Sequence, residues 1–177
     1  MILLELFNQV DGIESLDSDD PLFKSNWYDA YVLNGERQDT VFFFVPLGLG
    51  KEKKFSFNFA AFDDPEDDYL AFGPTGAGDP FKVYAAAATI LRDFIEREQP
   101  IYVSVEGFNG RQAKLYAKAL KRATPPEGYE VQTIIDTTMI INTRLYRNAR
   151  RREREAERRA QAAHERSLQG SLGGFNY

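Results

Sequence analysis

Apolar and polar positions fall into a β-type pattern over the first third of the chain, and into helical and buried-strand patterns after it. Trp27 to Leu33 reads as a strand, and the Asn34-Gly35 pair that follows tolerates positive φ and signals a short hairpin. The partner strand is Thr40 to Val45. In Lys54 to Phe62 the rings of Phe55, Phe57 and Phe59 alternate with Ser56, Asn58 and Ala60, which places three aromatics on one face. These three strands predict an antiparallel meander. The Asp63 to Asp68 run reads as an exposed turn, with Tyr69 to Phe72 as a short fourth strand.

Asp79 and Pro80 mark a helix start, Asp as N-cap and Pro at the first helical position, where its missing N–H is no loss. Phe81, Tyr84, Ala88, Leu91 and Ile95, widened by Ala87, Ile90 and Phe94, form one apolar face as far as Glu98. Pro100 ends that helix, and Ile101 to Val105 is a nearly continuous apolar strand of the kind buried inside a sheet. Arg111 to Arg122 predicts a second helix, with Ala113, Tyr116, Ala119 and Leu120 inward and Arg111, Lys114, Lys118 and Lys121 outward. Thr124 to Gly128 breaks the chain before a last β region, Tyr129 to Asn142, bent near Asp136. A βαβαβ run after a meander predicts an α+β fold: a mixed, mainly antiparallel sheet with two packed helices and one parallel pair around Ile101 to Val105.

The two ends have a different character. Residues 1–26 hold six acidic residues and one lysine, and apart from a short element at Ile2 to Phe7 they read as an acidic loop or arm. Arg144 to Leu168 contains only helix-tolerant residues without Gly or Pro, which predicts a C-terminal helical extension. Ala149, Ala156 and Ala163 share a heptad position in it, but alanines bury too little to hold an isolated coiled coil, so a partner surface is expected. Gly170 to Tyr177 reads as a flexible lead carrying two aromatic anchors, Phe175 and Tyr177. The expected organisation is therefore an arm (1–26), an α+β domain (27–142) and an Arg-rich extension (143–177).

Composition narrows the chemistry. With 177 residues, 43% hydrophobic and 14% aromatic, the chain can bury one sizeable core and is not disordered as a whole. It has no cysteine, so disulfides, thiolate metal sites and cysteine nucleophiles are excluded. Its one histidine, His164, sits among Arg and Glu, and the Asp63 to Asp68 run lacks the ligand spacing of a calcium loop; no metal site is expected. No apolar run is long enough to span a bilayer, and the acidic N-terminus has no secretory signal, so neither membrane nor export is expected.

The net charge of −5 hides an asymmetry. Arg144 to Arg166 holds nine arginines against four glutamates, a surplus of five positive charges, so the remainder carries an excess of ten negative ones. Arg150, Arg151, Arg152, Arg154, Arg158 and Arg159, with Phe175 and Tyr177, are the candidate interaction residues. They suit an acidic protein partner, nucleic acid, or the acidic body of a second copy.

The order of meander, glycine turn and helix, central strand, second helix and terminal strands resembles the GNAT family of N-acetyltransferases. Gly73-Pro74-Thr75-Gly76-Ala77-Gly78 has the glycine spacing of that family's acyl-CoA turn, and Asn109, Leu115 and Tyr116 match its second signature. The resemblance implies that amides of Gly76, Ala77 and Gly78, with Asn109, would hold acetyl-CoA, and that Tyr116 would protonate the leaving thiolate. The chain departs from the pattern in having Gly73 where Arg or Gln belongs. Pro80 also lacks an N–H, and the Asp79 carboxylate would repel a diphosphate at the same helix end. With the anion site filled by the chain's own carboxylate, no cofactor is expected unless the acyltransferase reading holds.

The Gly76 to Asp79 turn and Lys114-Leu115-Tyr116 also resemble segments of small proteins of tailed bacteriophages. This implies an accessory or virion-associated structural protein, found in the virion or host cytoplasm, with a catalytically degenerate GNAT-like core. Its partners would be other virion or assembly subunits, or further copies of itself.

Overall fold

In the computed structural model, residues 10–20, 22–35, 39–48, 52–61, 80–106, 118–122, 125–134 and 137–172 are described. The fold is α+β. Among the described residues seven strands form one open sheet: β1 (Ile13–Ser15), β2 (Asp29–Leu33), β3 (Thr40–Pro46), β4 (Lys54–Ala61), β5 (Tyr102–Glu106), β6 (Tyr129–Ile134) and β7 (Thr137–Asn142). Helix α1 (Pro80–Glu98) connects β4 to β5, residues 118–122 are the described part of helix α2, and α3 (Thr143–Leu172) follows β7. The chain divides into two compact units, Met1–Asn142 and Thr143–Tyr177.

The strand order is β1-β2-β3-β4-β5-β7-β6, and every neighbouring pair is antiparallel except β4 with β5. The parallel pair falls where the sequence places it, because α1 carries the chain back to the starting end of β4 before β5 begins. The β4–β5 ladder runs from Lys54↔Tyr102 to Phe57↔Val105, while β3 pairs with β4 as far as Ala61. Among the described residues, the carboxyl half of β4 is therefore paired by β3 but not by β5.

Strand alternation sorts the core into two layers. Phe42, Phe44, Phe55, Phe57, Val103, Val105 and Ile140 project onto the face covered by α1, whose Val83, Ala87, Ile90, Leu91, Phe94 and Ile95 meet them. Phe94 lies flat on Phe44 with ring centroids 3.6 Å apart and meets Phe55 edge-on at 5.0 Å. On the opposite face Ala30, Val32, Val41 and Phe43 form a smaller cluster under Trp27, Leu16 and Phe23. Trp27 stacks on Phe43 at 4.4 Å, and Phe23 meets Trp27 edge-on. β3 reads Val-Phe-Phe-Phe-Val because it has a buried layer on each side.

Helix α1 begins at Pro80 and ends at Glu98, the span its pattern predicts. Its stop is built from Gln99, held at φ 47°, with the Gln99 N–H donating to the Ile95 carbonyl at 2.9 Å, followed by Pro100. The described part of α2 has Leu120 buried and Lys118 and Lys121 exposed, in keeping with the expected inward and outward sides.

The structure differs from the sequence expectations at several places. The hairpin expected after Leu33 forms, with β2 and β3 antiparallel and Leu33 opposite Thr40, although neither Asn34 nor Gly35 has positive φ. The Asp39 carboxylate accepts the Gly35 N–H at 3.0 Å. The expected β region Tyr129 to Asn142, bent near Asp136, consists of two antiparallel strands, β6 and β7, paired from Tyr129↔Asn142 to Ile134↔Thr137. The segment expected to be an acidic arm contributes β1, which pairs with β2, and its Leu16 and Phe23 reach the second cluster. The helix of the extension continues through Gly170 to Leu172. The expected elements at Ile2 to Phe7 and Tyr69 to Phe72, and the Asp63 to Asp68 turn, lie outside the described residues.

Candidate functional site

The strongest concentration of like charge in the described residues is on α3. Its 30 residues extend about 45 Å at 1.5 Å per residue. Arg147, Arg151, Arg154 and Arg158 recur at intervals of four, three and four, which sets them in one row along the helix. All four are exposed. Arg151 Nε is 4.0 Å from Glu155, whereas Arg147, Arg154 and Arg158 make no ion pair among the described residues. Of the other expected interaction residues, Arg150 pairs with Glu153 at 3.2 Å, and Arg152 and Arg159, seven residues apart, lie more than about 100° around the helix from the row, towards the alanine side. His164 is exposed on the same helix. Ala156, Ala160 and Ala163, on the opposite side, are exposed too.

A second charged group ties the end of α1 to the sheet. The Lys53 ammonium donates to the Glu98 carboxylate and to the Glu98 backbone carbonyl, both at 3.0 Å, so a cation sits on the negative end of the helix. The same carboxylate oxygen accepts from the Tyr28 hydroxyl at 2.9 Å, and the other oxygen accepts from Arg97 Nε at 3.1 Å. Arg97 also donates to Asp29 and to the Tyr31 hydroxyl, and Tyr31 donates to Asp29 at 2.8 Å. Burial opposes ionisation of Glu98, but the bonds from Lys53, Tyr28 and Arg97 outweigh it and hold its carboxyl below the usual range. Burial raises the Tyr31 and Tyr28 hydroxyls. The side chains named here hold one another, so the cluster works as a clamp between β2, the entry to β4 and α1. Sequence reading missed it, because its partners lie between 45 and 70 residues apart and no local pattern joins them.

A third feature lies where β5 stops accompanying β4. Phe57, Phe59, Tyr84, Ala87, Leu91, Val105, Ala119 and Leu120 line a small, shallow apolar hollow of ≈ 20 Å³, partly open to solvent. In sheets with parallel strands, ligands favour the carboxyl ends of those strands, and this hollow occupies that position. The residues expected to serve an acyl-CoA here, Gly76, Ala77, Gly78, Asn109 and Tyr116, lie outside the described residues, as do the anchors Phe175 and Tyr177. Glu106 closes β5.

No family model, curated protein or solved structure matches the chain. Among the described residues, no group of three or more His, Asp or Glu side chains is placed to hold a metal ion, and no helix is long and apolar enough to cross a membrane.

Proposed function

We propose that this protein is a docking component: the α+β unit is a rigid platform, and α3 attaches it to an acidic surface on another macromolecule. The observation that carries this reading is the exposed row Arg147, Arg151, Arg154 and Arg158, of which only Arg151 has an ion-pair partner among the described residues. Guanidinium groups suit this task because they stay charged and offer paired donors to carboxylates. A part of this kind fits the virion or assembly setting that the phage resemblance suggests, with protein subunits as partners and no cofactor.

The test is binding of fluorescent polyglutamate to the full chain, followed by anisotropy, beside a quadruple Gln variant at 147, 151, 154 and 158. Binding that weakens at least about tenfold in the variant is expected, a loss of some 1.4 kcal/mol. An intact chain that ignores polyglutamate would refute docking to an acidic protein. If duplex DNA is preferred, with affinity falling steeply with salt in proportion to the phosphates neutralised, the nucleic-acid reading takes its place.

A second reading, an acyl-CoA-dependent N-acyltransferase, is favoured by one specific observation. Among the described residues the β4–β5 pairing ends at Phe57↔Val105 beside a small apolar hollow, within an order of elements like that of the GNAT family. Acetyl-CoA would then raise the melting temperature, and Gly78→Trp would abolish the rise.

A further inference from the structure

The sheet has two edges, and they are unlike. β1 is three residues long and carries the exposed Glu14, with Asp11 and Asp17 beside it, a short and charged edge of the kind that discourages strand addition. β6 has six residues, no proline and no lysine, and β-branched Val131, Thr133 and Ile134. Among the described residues it pairs with β7 on one side and ends the sheet on the other. Glu130, Gln132, Thr133 and Ile134 are all exposed, and Ile134, at 45%, is among the few large apolar side chains in the described residues that are. Every other backbone group of an antiparallel strand points away from its partner, so this edge presents a row of N–H and C=O groups with no protein partner among the described residues.

We infer that β6 is a homodimer edge, pairing antiparallel with β6 of a second copy about a two-fold axis through Gln132. Side-chain parity limits the axis to passing through a residue rather than between two. A two-fold axis perpendicular to the sheet keeps each face on its own side, so residues of like parity meet. Centred on Gln132, Val131 meets the partner's Thr133, Gln132 meets its own counterpart, and Glu130 meets the partner's Ile134. Val with Thr is a favourable β-branched pair, and the two Gln amides can bond to each other. Glu130, the strand's single charge, does not face another carboxylate. The edge therefore complements a copy of itself without like-charge opposition. This inference does not use α3 and stands or falls separately from the docking role.

Light scattering on a sizing column, with the full chain loaded at about 100 μM so that a micromolar Kd populates the dimer, gives the test. A two-chain mass is expected. Gln132→Lys and Gln132→Glu each set like charges face to face and should give monomers, while an equimolar mixture of the two should recover the dimer. Gln132 is exposed, and equal melting temperatures for the two variants would show that the fold is kept. Hydrogen exchange on the unaltered chain should slow at alternate β6 amides as concentration rises. A chain that stays monomeric, a dimer indifferent to both substitutions, a mixture that stays monomeric, or an assembly larger than two would each overturn the inference.

Discussion

Replacing Phe94 by alanine is the sharpest probe of how α1 is held to the sheet. The ring is completely buried, lies flat on Phe44, and meets Phe55 and Tyr28 edge-on at 5.0 and 6.0 Å. Truncation of a buried Phe to Ala costs about 3 to 5 kcal/mol, and loss of aromatic pairs worth about 0.5 to 1.5 kcal/mol each favours the upper half of that range. At roughly 2 to 4 °C per kcal/mol for a domain of this size, a loss of about 4 kcal/mol lowers Tm by about 8 to 16 °C. Trp27, the only tryptophan, reports the transition from the opposite face of the sheet, where it stacks on Phe43. Phe94→Leu keeps most of the volume but not the stacking, and should lose about 1 to 2 kcal/mol. A Phe94→Ala variant whose Trp27 transition falls by less than about 3 °C would refute the view that α1 and both sheet layers melt together around this ring.

Thr40 is 1% exposed and its hydroxyl has no hydrogen-bond partner among the described residues, so Thr40→Val should leave stability unchanged or raise it by about 1 kcal/mol in urea unfolding. A comparable loss would mean that the hydroxyl is bonded after all. The depressed Glu98 carboxyl contributes stability that is complete above its ordinary value of 4.5 and is lost as pH falls through the lower folded value. In Glu98→Gln the unfolding free energy should therefore change less than in the unaltered chain as pH falls below 4.5, measured by urea titration at each pH. An acid limb identical in both chains would remove Glu98 from the clamp.

Much of the fold was legible because neighbouring residues determine it. Alternation in Phe55, Phe57 and Phe59, Pro80 at a helix start and the apolar face of α1 all act within a few residues, and the structure follows each of them. What escaped depends on distant partners. β1 is three residues of unremarkable composition, made a strand by the register Ile13↔Leu33. The Arg97–Asp29 and Lys53–Glu98 contacts join segments far apart in the chain. Asn34-Gly35 did signal the β2–β3 hairpin, but the Asp39 carboxylate that accepts the Gly35 N–H lies outside the dipeptide and could not be read from it. For the candidate site, the arginines of α3 could be read directly, since a charge row needs only helical spacing. The apolar hollow could not, since Phe59, Tyr84, Val105 and Leu120 come from four elements.

The one parallel junction also bears on how the chain reaches its native state. Residues from Ile13 to Ala61, and from Tyr102 to Asn142, each form a block of antiparallel strands, and among the described residues a ladder of four residue pairs, preceded by the Ile101 N–H donating to the Lys53 carbonyl at 2.7 Å, stitches them together. The first block can assemble while later residues are still being synthesised, since its contacts are short in range. The stitch must wait for α1 to form and for its ends to be brought together, an entropic barrier that hairpins do not face. Nucleation on the early block with late closure at Phe57 and Val105 follows, so substitutions along this junction should speed unfolding far more than they slow refolding.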